Sequence, residues 1–230
     1  MINYEYINEY IRKTIRKNSG ILAEMEKYAK ENYVPVISPE VVSLIRIICS
    51  IKKPKRILEI GTAIGYSALI LSESLCANGV IDTIERDESM IVLAKKYIKK
   101  ANKEKLVNVI AGEADDVLKC LNKGYDIIFM DAAKAQYKEF LKECLRMLNP
   151  DGILISDNVL YKGMVANEEL VTNKKKTIAY KMRSYLEELC RNKELETTIL
   201  PVGDGVTISH KTVGDDIIIG NKKGVINEQG

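Results

Sequence analysis

From Pro54 onward, the chain alternates short apolar runs rich in β-branched residues with longer amphipathic stretches. The short runs predict strands over residues 56–60, 80–84, 107–111, 126–130 and 152–156. The amphipathic stretches predict helices over residues 66–76, 88–100, 115–121 and 137–148. Strands that alternate with helices form a mostly parallel sheet covered by helices on both faces. The pattern therefore predicts an α/β domain.

The two ends of the chain follow other patterns. Residues 1–51 carry apolar side chains at helical spacing and predict an N-terminal helical cap. A helix over residues 176–191 precedes two late strands, over 195–200 and 205–210, which a tight turn makes antiparallel. Residues 1–212 are therefore predicted to form one domain, and the Gly-rich and Asn-rich tail 213–230 is predicted to be flexible.

Composition limits the chemistry that the chain can perform. The sequence has one histidine, His210, so neither a His-rich zinc site nor a pair of histidine ligands is available. Five cysteines without a C-x-x-C spacing fit free thiols in a reducing compartment. No apolar run approaches the length of a membrane span, and no signal-peptide pattern is present. We therefore expect a cytoplasmic protein without a membrane partner that acts through carboxylates, lysines, a cofactor or an oxygen-liganded metal.

A glycine turn follows the first predicted strand, with Gly61 and Gly65 spaced as G-x-x-x-G. Because Ala63 stands between them, neither the dinucleotide fingerprint nor a phosphate-binding P-loop is present. Glu85 ends the second strand, where a carboxylate can accept the hydroxyls of a ribose. Glu59, just before the turn, could help to hold an ammonium group. A ribose site without a pyrophosphate cradle predicts S-adenosylmethionine (SAM), with a generic glycine turn as the alternative.

Oxygen donors follow the fourth and fifth predicted strands. Asp131 ends the fourth strand, and Asp157 and Asn158 end the fifth. If these strands are neighbours, the two carboxylates and the amide converge and suit a hard cation such as Mg²⁺, although helix capping is the alternative. Lys134 lies in the loop after Asp131. Near a cation and a sulfonium it would give up its proton readily, and we expect it to be the catalytic base, with a solvated surface lysine as the alternative.

Five segments together resemble the metal-dependent O-methyltransferases, a family that includes the catechol and caffeoyl-CoA O-methyltransferases. The segments are residues 58–67 (LEIGTAIGYS), 84–86 (IER), 130–137 (MDAAKAQY), 156–160 (SDNVL) and 201–206 (PVGDGV). The resemblance covers about residues 1–212. It implies a class I SAM-dependent methyltransferase fold, which is Rossmann-like, with a seven-stranded sheet whose last strand is antiparallel, and we expect a homodimer.

Carried over residue by residue, the resemblance implies the roles of several side chains. Asp131, Asp157 and Asn158 would bind the metal, and Lys134 would be the catalytic lysine. Together with the glycine-turn argument, it predicts the following cofactor-binding residues: Ile37, Glu59, Gly61, Gly65, Tyr66, Ser67, Glu85, Ala114 and Asp131.

Within this family the resemblance extends furthest to bacterial enzymes that methylate 5-hydroxyuridine at the wobble position of tRNA. It includes residues 6–11 (YINEYI), 34–37 (VPVI) and 157–166 (DNVLYKGMVA). The hydroxyl and the neighbouring carbonyl of 5-hydroxyuridine can chelate Mg²⁺ as a catechol does. The metal site therefore does not choose between tRNA and a catechol-like small molecule. A SAM-binding or RNA-binding module without catalysis is the remaining alternative, but it would have no use for the metal and lysine set.

The distribution of charge favours an RNA partner. Net charge is only +3, yet residues 172–183 carry five basic side chains and no acid. Basic side chains near an active site would contact the phosphates of an anticodon loop, although a charge run can equally be a solvated helix face. Tyr161 or Tyr137 could stack on an unstacked wobble base, although either could equally be a core or pocket-wall tyrosine. The predicted RNA-binding residues are Lys162, Lys174, Lys175, Lys176, Lys181 and Arg183.

Overall fold

A computed structural model of the protein describes residues 2–212 and contains a sheet of seven strands. The strands are β1 (Arg56–Ile60), β2 (Val80–Glu85), β3 (Val107–Ala111), β4 (Tyr125–Met130), β5 (Leu148–Asp157), β6 (Leu195–Leu200) and β7 (Val206–Lys211). Their order across the sheet is β3-β2-β1-β4-β5-β7-β6. Strands β1 to β5 pair in parallel, whereas β7 runs antiparallel to both β5 and β6. The prediction of a mostly parallel sheet with an antiparallel last strand is confirmed.

Helices cover both faces of this sheet. They are α1 (Glu5–Thr14), α2 (Gly20–Glu31), α3 (Pro39–Lys52), α4 (Tyr66–Ser72), α5 (Glu88–Lys100), α6 (Ala114–Cys120), α7 (Tyr137–Met147) and α8 (Lys176–Arg191). One core cluster lies between the sheet and α2 to α5, and a second lies between the sheet and α6 to α8. Strand β4 contributes Ile127 and Phe129 to the first cluster and Ile128 and Met130 to the second. It is therefore a central strand buried on both faces, as its unbroken apolar run indicates.

Several boundaries differ from the sequence prediction. Helix α4 ends at Ser72 rather than at residue 76, because the amides of Glu73 and Ser74 bond to carbonyls three residues earlier and tighten the last turn. Strand β5 begins at Leu148 rather than at residue 152, and Leu148 pairs with Tyr125 across a register shift. A Pro-Asp-Gly sequence at 150–152 reads as a loop but lies within the strand here.

The topology fixes where a ligand can bind. Strands β2 and β3 lie on one side of β1, while β4 and β5 lie on the other, so the strand order reverses between β1 and β4. In open α/β sheets a crevice forms outside the carboxyl ends of the strands at such a switch point.

In residues 2–212, no helix has the length and apolar character required to cross a membrane. The tail predicted to be flexible, residues 213–230, lies outside the described residues.

Candidate active site

The turn between β1 and α4 forms the floor of a cavity of about 400 Å³ at the switch point. Gly61 has a φ of +101°, and a Cβ on it would collide with the backbone carbonyl of Asp131. Only glycine therefore lets this turn pass so close to the end of β4. The cavity is lined by seven of the predicted cofactor-binding residues: Ile37, Gly61, Tyr66, Ser67, Glu85, Ala114 and Asp131.

Glu85 and Glu59, two of the predicted cofactor-binding carboxylates, occupy different environments. Glu85 lies at the cavity wall, where one carboxylate oxygen accepts the amide of Ala63 at 2.8 Å and the other accepts the amides of Arg86 and Asp87. These bonds fix the carboxylate and leave further lone pairs for a ribose. Glu59 is fully buried beneath the turn and does not line the cavity.

The pKa of Glu59 lies above the usual range of a carboxylic acid. Burial raises this pKa to about 7, and the hydrogen bond from Thr83 acts in the opposite direction. Its Oε1 atom has no hydrogen-bond partner among the described residues. A buried acceptor without a partner is costly. Glu59 Oε1 could therefore accept a hydrogen bond from a group of the cofactor. Gly65, the other predicted residue outside the cavity lining, is the N-cap of α4 with a φ of +85°.

The oxygen donors predicted from the sequence meet at the ends of β4 and β5. The Asn158 side-chain amide lies 3.0 Å from Asp131 Oδ1, and the Asn158 backbone amide donates to Asp157 Oδ1 at 2.7 Å. Residues 2–212 contain no cluster of three His, Cys, Asp or Glu side chains suited to a metal ion. A metal centre here therefore depends on two carboxylates and one amide.

The charges of this group suit a divalent cation. Burial raises the pKa of Asp131. Burial also raises the pKa of Asp157, and the negative charge of Asp131 raises it further. Two buried carboxylates so close together are destabilised when both are ionised, and a divalent cation relieves that repulsion. Two carboxylates and an amide oxygen, with room for further ligands, suit Mg²⁺.

Lys134 begins the short helical turn that follows β4 and lines the cofactor cavity. Its positive charge lowers the pKa of Asp131 and of Asp157, in opposition to burial. The lysine thus lies near both carboxylates and beside the cofactor cavity. A base acting on the hydroxyl of a substrate beside the cofactor would require such a position.

A second cavity, of about 570 Å³, adjoins the first. Asn158 lines both cavities, and Asp157 lines the second. The walls of the second cavity come from α1, the start of α3 and the turn between β6 and β7. Most of its lining residues are polar or charged: Glu5, Asn8, Arg12, Ser38, Glu40, Asp157, Asn158, Lys162 and Asp204. We regard this space as the substrate side of the site.

Asp204 is a candidate site residue that the sequence analysis missed. Its carboxylate accepts the amide of Lys162 at 2.6 Å, and its carbonyl accepts the amide of Leu160 at 3.0 Å. These bonds hold the loop after β5, in which Asn158, Tyr161 and Lys162 all have positive φ. Non-glycine residues rarely adopt this conformation without support. The turn sequence PVGDGV could have indicated Asp204, because this turn leads into β7, which pairs with the end of β5 at Asp157.

The predicted RNA-binding residues fall into two groups. The side chains of Lys162, Lys174 and Lys176 are exposed, and Lys175 lies 5.8 Å from the centre of the Tyr161 ring. The other two predicted cations are already bound within the protein: Lys181 pairs with Glu139, and Arg183 with Glu168 and with backbone carbonyls.

Tyr137 does not have the position of a base-stacking residue. Its ring is fully buried, and its hydroxyl lies 3.0 Å from the Asp157 carbonyl oxygen. The stacking role considered for it is therefore wrong and the core alternative holds, because the ring belongs to the core beneath the end of β5. Tyr161 is half-buried, at the rim of the loop after β5.

Comparison with known proteins identifies the family. A family model described as O-methyltransferase matches residues 12–212. The chain belongs to this O-methyltransferase family. The enzyme is 29% identical over 203 residues to a catechol O-methyltransferase of Niastella koreensis, which covers 86% of this chain and 90% of that protein. It is therefore a SAM-dependent O-methyltransferase of the catechol and caffeoyl-CoA type.

Solved structures agree with this assignment. A Staphylococcus aureus chain, named after the caffeoyl-CoA O-methyltransferases, is 34% identical with a TM-score of 0.80 and covers 90% of this chain and 98% of its own length. The SAH-bound methyltransferase PaMTH1 of Podospora anserina is 26% identical with a TM-score of 0.82, covering 91% and 95%. The class I methyltransferase fold predicted from the sequence is confirmed.

Proposed function

We propose that the enzyme transfers the methyl group of SAM to a hydroxyl that lies beside a second oxygen atom, with a divalent cation bound by Asp131, Asp157 and Asn158. The observation that carries this proposal is that the ends of β4 and β5 bring the side chains of these three residues together at the junction of the two cavities. A cation there, most simply Mg²⁺, would acidify and orient a substrate that chelates it through two neighbouring oxygens.

The protein's own residues supply the rest of the mechanism. The glycine turn and Glu85 would hold the adenosine part of SAM in the first cavity. Lys134, at the wall of that cavity, would take the proton from the substrate hydroxyl as the oxygen attacks the methyl carbon. The carbon–sulfur bond breaks as the oxygen–carbon bond forms, its electron pair goes to sulfur, and SAH leaves. Because the sulfonium is already a good leaving group, alignment of the oxygen with the methyl group is the main requirement.

A small-molecule diol is the first candidate substrate. The names of the relatives, catechol and caffeoyl-CoA O-methyltransferases, support this candidate. A catechol carries the two neighbouring hydroxyls that chelation of the proposed cation requires. A cavity of about 570 Å³ also has room for a molecule of that size.

A 5-hydroxyuridine in tRNA is the second candidate, and the polar lining of the substrate cavity favours it. Three apolar residues, Ile2, Val36 and Ile37, and no aromatic ring of the described chain line that cavity, whereas catechol rings are best held between apolar or aromatic walls. A nucleoside brings ribose hydroxyls and polar base edges that match such a lining. The exposed Lys162, at the cavity rim, and the exposed Lys174 and Lys176 provide charge for phosphate contacts.

Methyl transfer from radiolabelled SAM tests the proposal. The substrates are catechol, tRNA that contains 5-hydroxyuridine, and the same tRNA without the modification, each with Mg²⁺ and after removal of metal with EDTA. We expect methyl transfer to catechol or to the 5-hydroxyuridine tRNA, and none to the unmodified tRNA. Removal of metal should abolish the transfer, and added Mg²⁺ should restore it. Transfer to catechol alone would reject the tRNA candidate, and full activity after metal removal would reject the metal mechanism.

A further inference from the structure

Helix α1 presents three tyrosines to solvent. Tyr4, at its N-cap, is 72% exposed, and Tyr6 and Tyr10 are 67% and 71% exposed. The rings of Tyr4 and Tyr6 stack, with centroids 5.5 Å apart and an angle of 16° between their planes. Tyr6 and Tyr10 are one helical turn apart and so share a face. A contiguous exposed aromatic surface of this kind indicates a binding partner.

Basic side chains continue this surface along the chain. Residues 12–17 contain four positive charges and no acid. The Lys13 side chain is 78% exposed and lies 3.8 Å from Glu9. Arg16 and Lys17 are exposed, and no acidic group of the described chain lies within ion-pair distance of them. Exposed rings and unpaired cations, here Arg16 and Lys17, are the two features that single-stranded nucleic acid binds.

The same helix forms a wall of the substrate cavity. Glu5, Asn8 and Arg12, on another side of α1, line that cavity. The Arg12 guanidinium is fixed by the Glu40 carboxylate through two bonds of 3.2 and 2.9 Å, and the Asn3 side chain donates to the Pro201 carbonyl at 2.6 Å. The exposed tyrosines are therefore carried by an anchored helix that borders the cavity where the reacting group would enter.

We propose that Tyr4, Tyr6, Tyr10, Lys13, Arg16 and Lys17, the α1 surface, bind the loop nucleotides that flank the methylated one. The rings stack on unpaired bases, and the cations contact the adjacent phosphates. This inference rests on the tRNA candidate of the proposed function. A second copy of the chain is the other occupant to consider. Arg16 and Lys17 have no acidic partner among the described residues, and this unpaired positive charge favours the phosphates of RNA.

Binding of a fluorescent anticodon stem-loop RNA tests the α1 surface without requiring turnover. Anisotropy titrations with SAH present compare the wild type with Tyr6→Ala/Tyr10→Ala and with Tyr6→Phe/Tyr10→Phe. We expect about tenfold or greater weakening for the alanine variant, because each base–ring stack is lost. The phenylalanine variant keeps the rings and should bind like the wild type. Lys95→Ala/Lys96→Ala on α5, an exposed basic pair elsewhere, should also bind like the wild type.

The outcomes separate this inference from the proposed function. If the wild type does not bind the RNA, the tRNA candidate fails, and the α1 surface fails with it. If the wild type binds the RNA and the alanine variant binds equally well, the α1 surface alone is rejected. Sedimentation of the same variants supplies a further check, because a dimer that becomes monomeric on Tyr6→Ala/Tyr10→Ala would show that this face joins two copies of the chain and would overturn the proposal.

Discussion

The side chain of Asn158 reaches from the end of β5 to the end of β4, where its amide nitrogen lies 3.0 Å from Asp131 Oδ1. The two strands are parallel neighbours, with Met130 paired to Ser156 in the last register position. Asp131 and the pair Asp157–Asn158 therefore leave the sheet at the same level. The proposed metal centre is a consequence of this register.

Replacement of Asp157 by alanine should separate catalysis from cofactor binding. Asp157 lines the substrate cavity but not the cofactor cavity. We expect kcat to fall by about a hundredfold or more, because the cation loses a ligand, while the Kd for SAM measured by calorimetry stays near that of the wild type. Asp131→Ala should weaken SAM binding as well, since Asp131 lines the cofactor cavity. An equal loss of SAM affinity in both variants would contradict this division of roles.

Lys134→Met should lower kcat by about a hundredfold or more, the usual contribution of a positioned base. Lys142→Met is the matched control, because Lys142 is an exposed lysine on α7, outside both cavity linings. The measurement is steady-state methyl transfer at saturating SAM and Mg²⁺. A Lys134→Met enzyme with the kcat of the control would exclude Lys134 as the base.

Asp204 should act as a positioning residue for the metal-ligand loop. Asp204→Ala removes the acceptor for the Lys162 amide, and we expect about tenfold weaker Mn²⁺ binding as the strained loop relaxes. Asp204→Asn retains an acceptor oxygen and should bind Mn²⁺ almost as well as the wild type. Mn²⁺ affinity can be followed by electron paramagnetic resonance. Equal weakening in both variants would mean that the charge of Asp204, and not its bond to the loop, is what matters.

The protonation of Glu59 should appear in the pH dependence of stability. Its pKa rises from 4.5 to about 7 on folding, so the folded protein binds more protons between these values. The stability that this proton provides is present below pH 4.5 and is lost as pH rises through about 7, on the order of 3 kcal/mol in total. Glu59→Gln cannot ionise, and urea unfolding without SAM should therefore show a smaller decline over this range. An unchanged pH profile would contradict the raised pKa.

The local pattern of apolar and polar residues in the sequence was sufficient to predict the sheet and most of the candidate active site. Apolar runs such as 127–130 identify central strands because both of their faces are buried. Strand ends locate Glu85, Asp131 and Asp157, because the carboxyl ends of parallel strands meet at one sheet edge. These residues come together because the strand order places β4 beside both β1 and β5, and the alternation of strands and helices alone does not determine that order.

Features that depend on long-range packing were not predictable in this way. The bond between Asp204 and the Lys162 amide joins residues that are 42 positions apart, and it depends on how the β6–β7 turn folds over the loop after β5. Basic residues of the same run can also differ in whether an acidic side chain binds them. Arg183 is held by Glu168, whereas Lys174 remains exposed, because only the tertiary structure decides which of them meets an acid.

Anomalous diffraction from crystals grown with Mn²⁺ and SAH tests the central claim most directly, since it locates the cation without relying on activity. The account predicts one strong anomalous peak bound by Asp131, Asp157 and Asn158, at the junction of the two cavities. A peak bound by other residues, with this junction empty at saturating Mn²⁺, would contradict it.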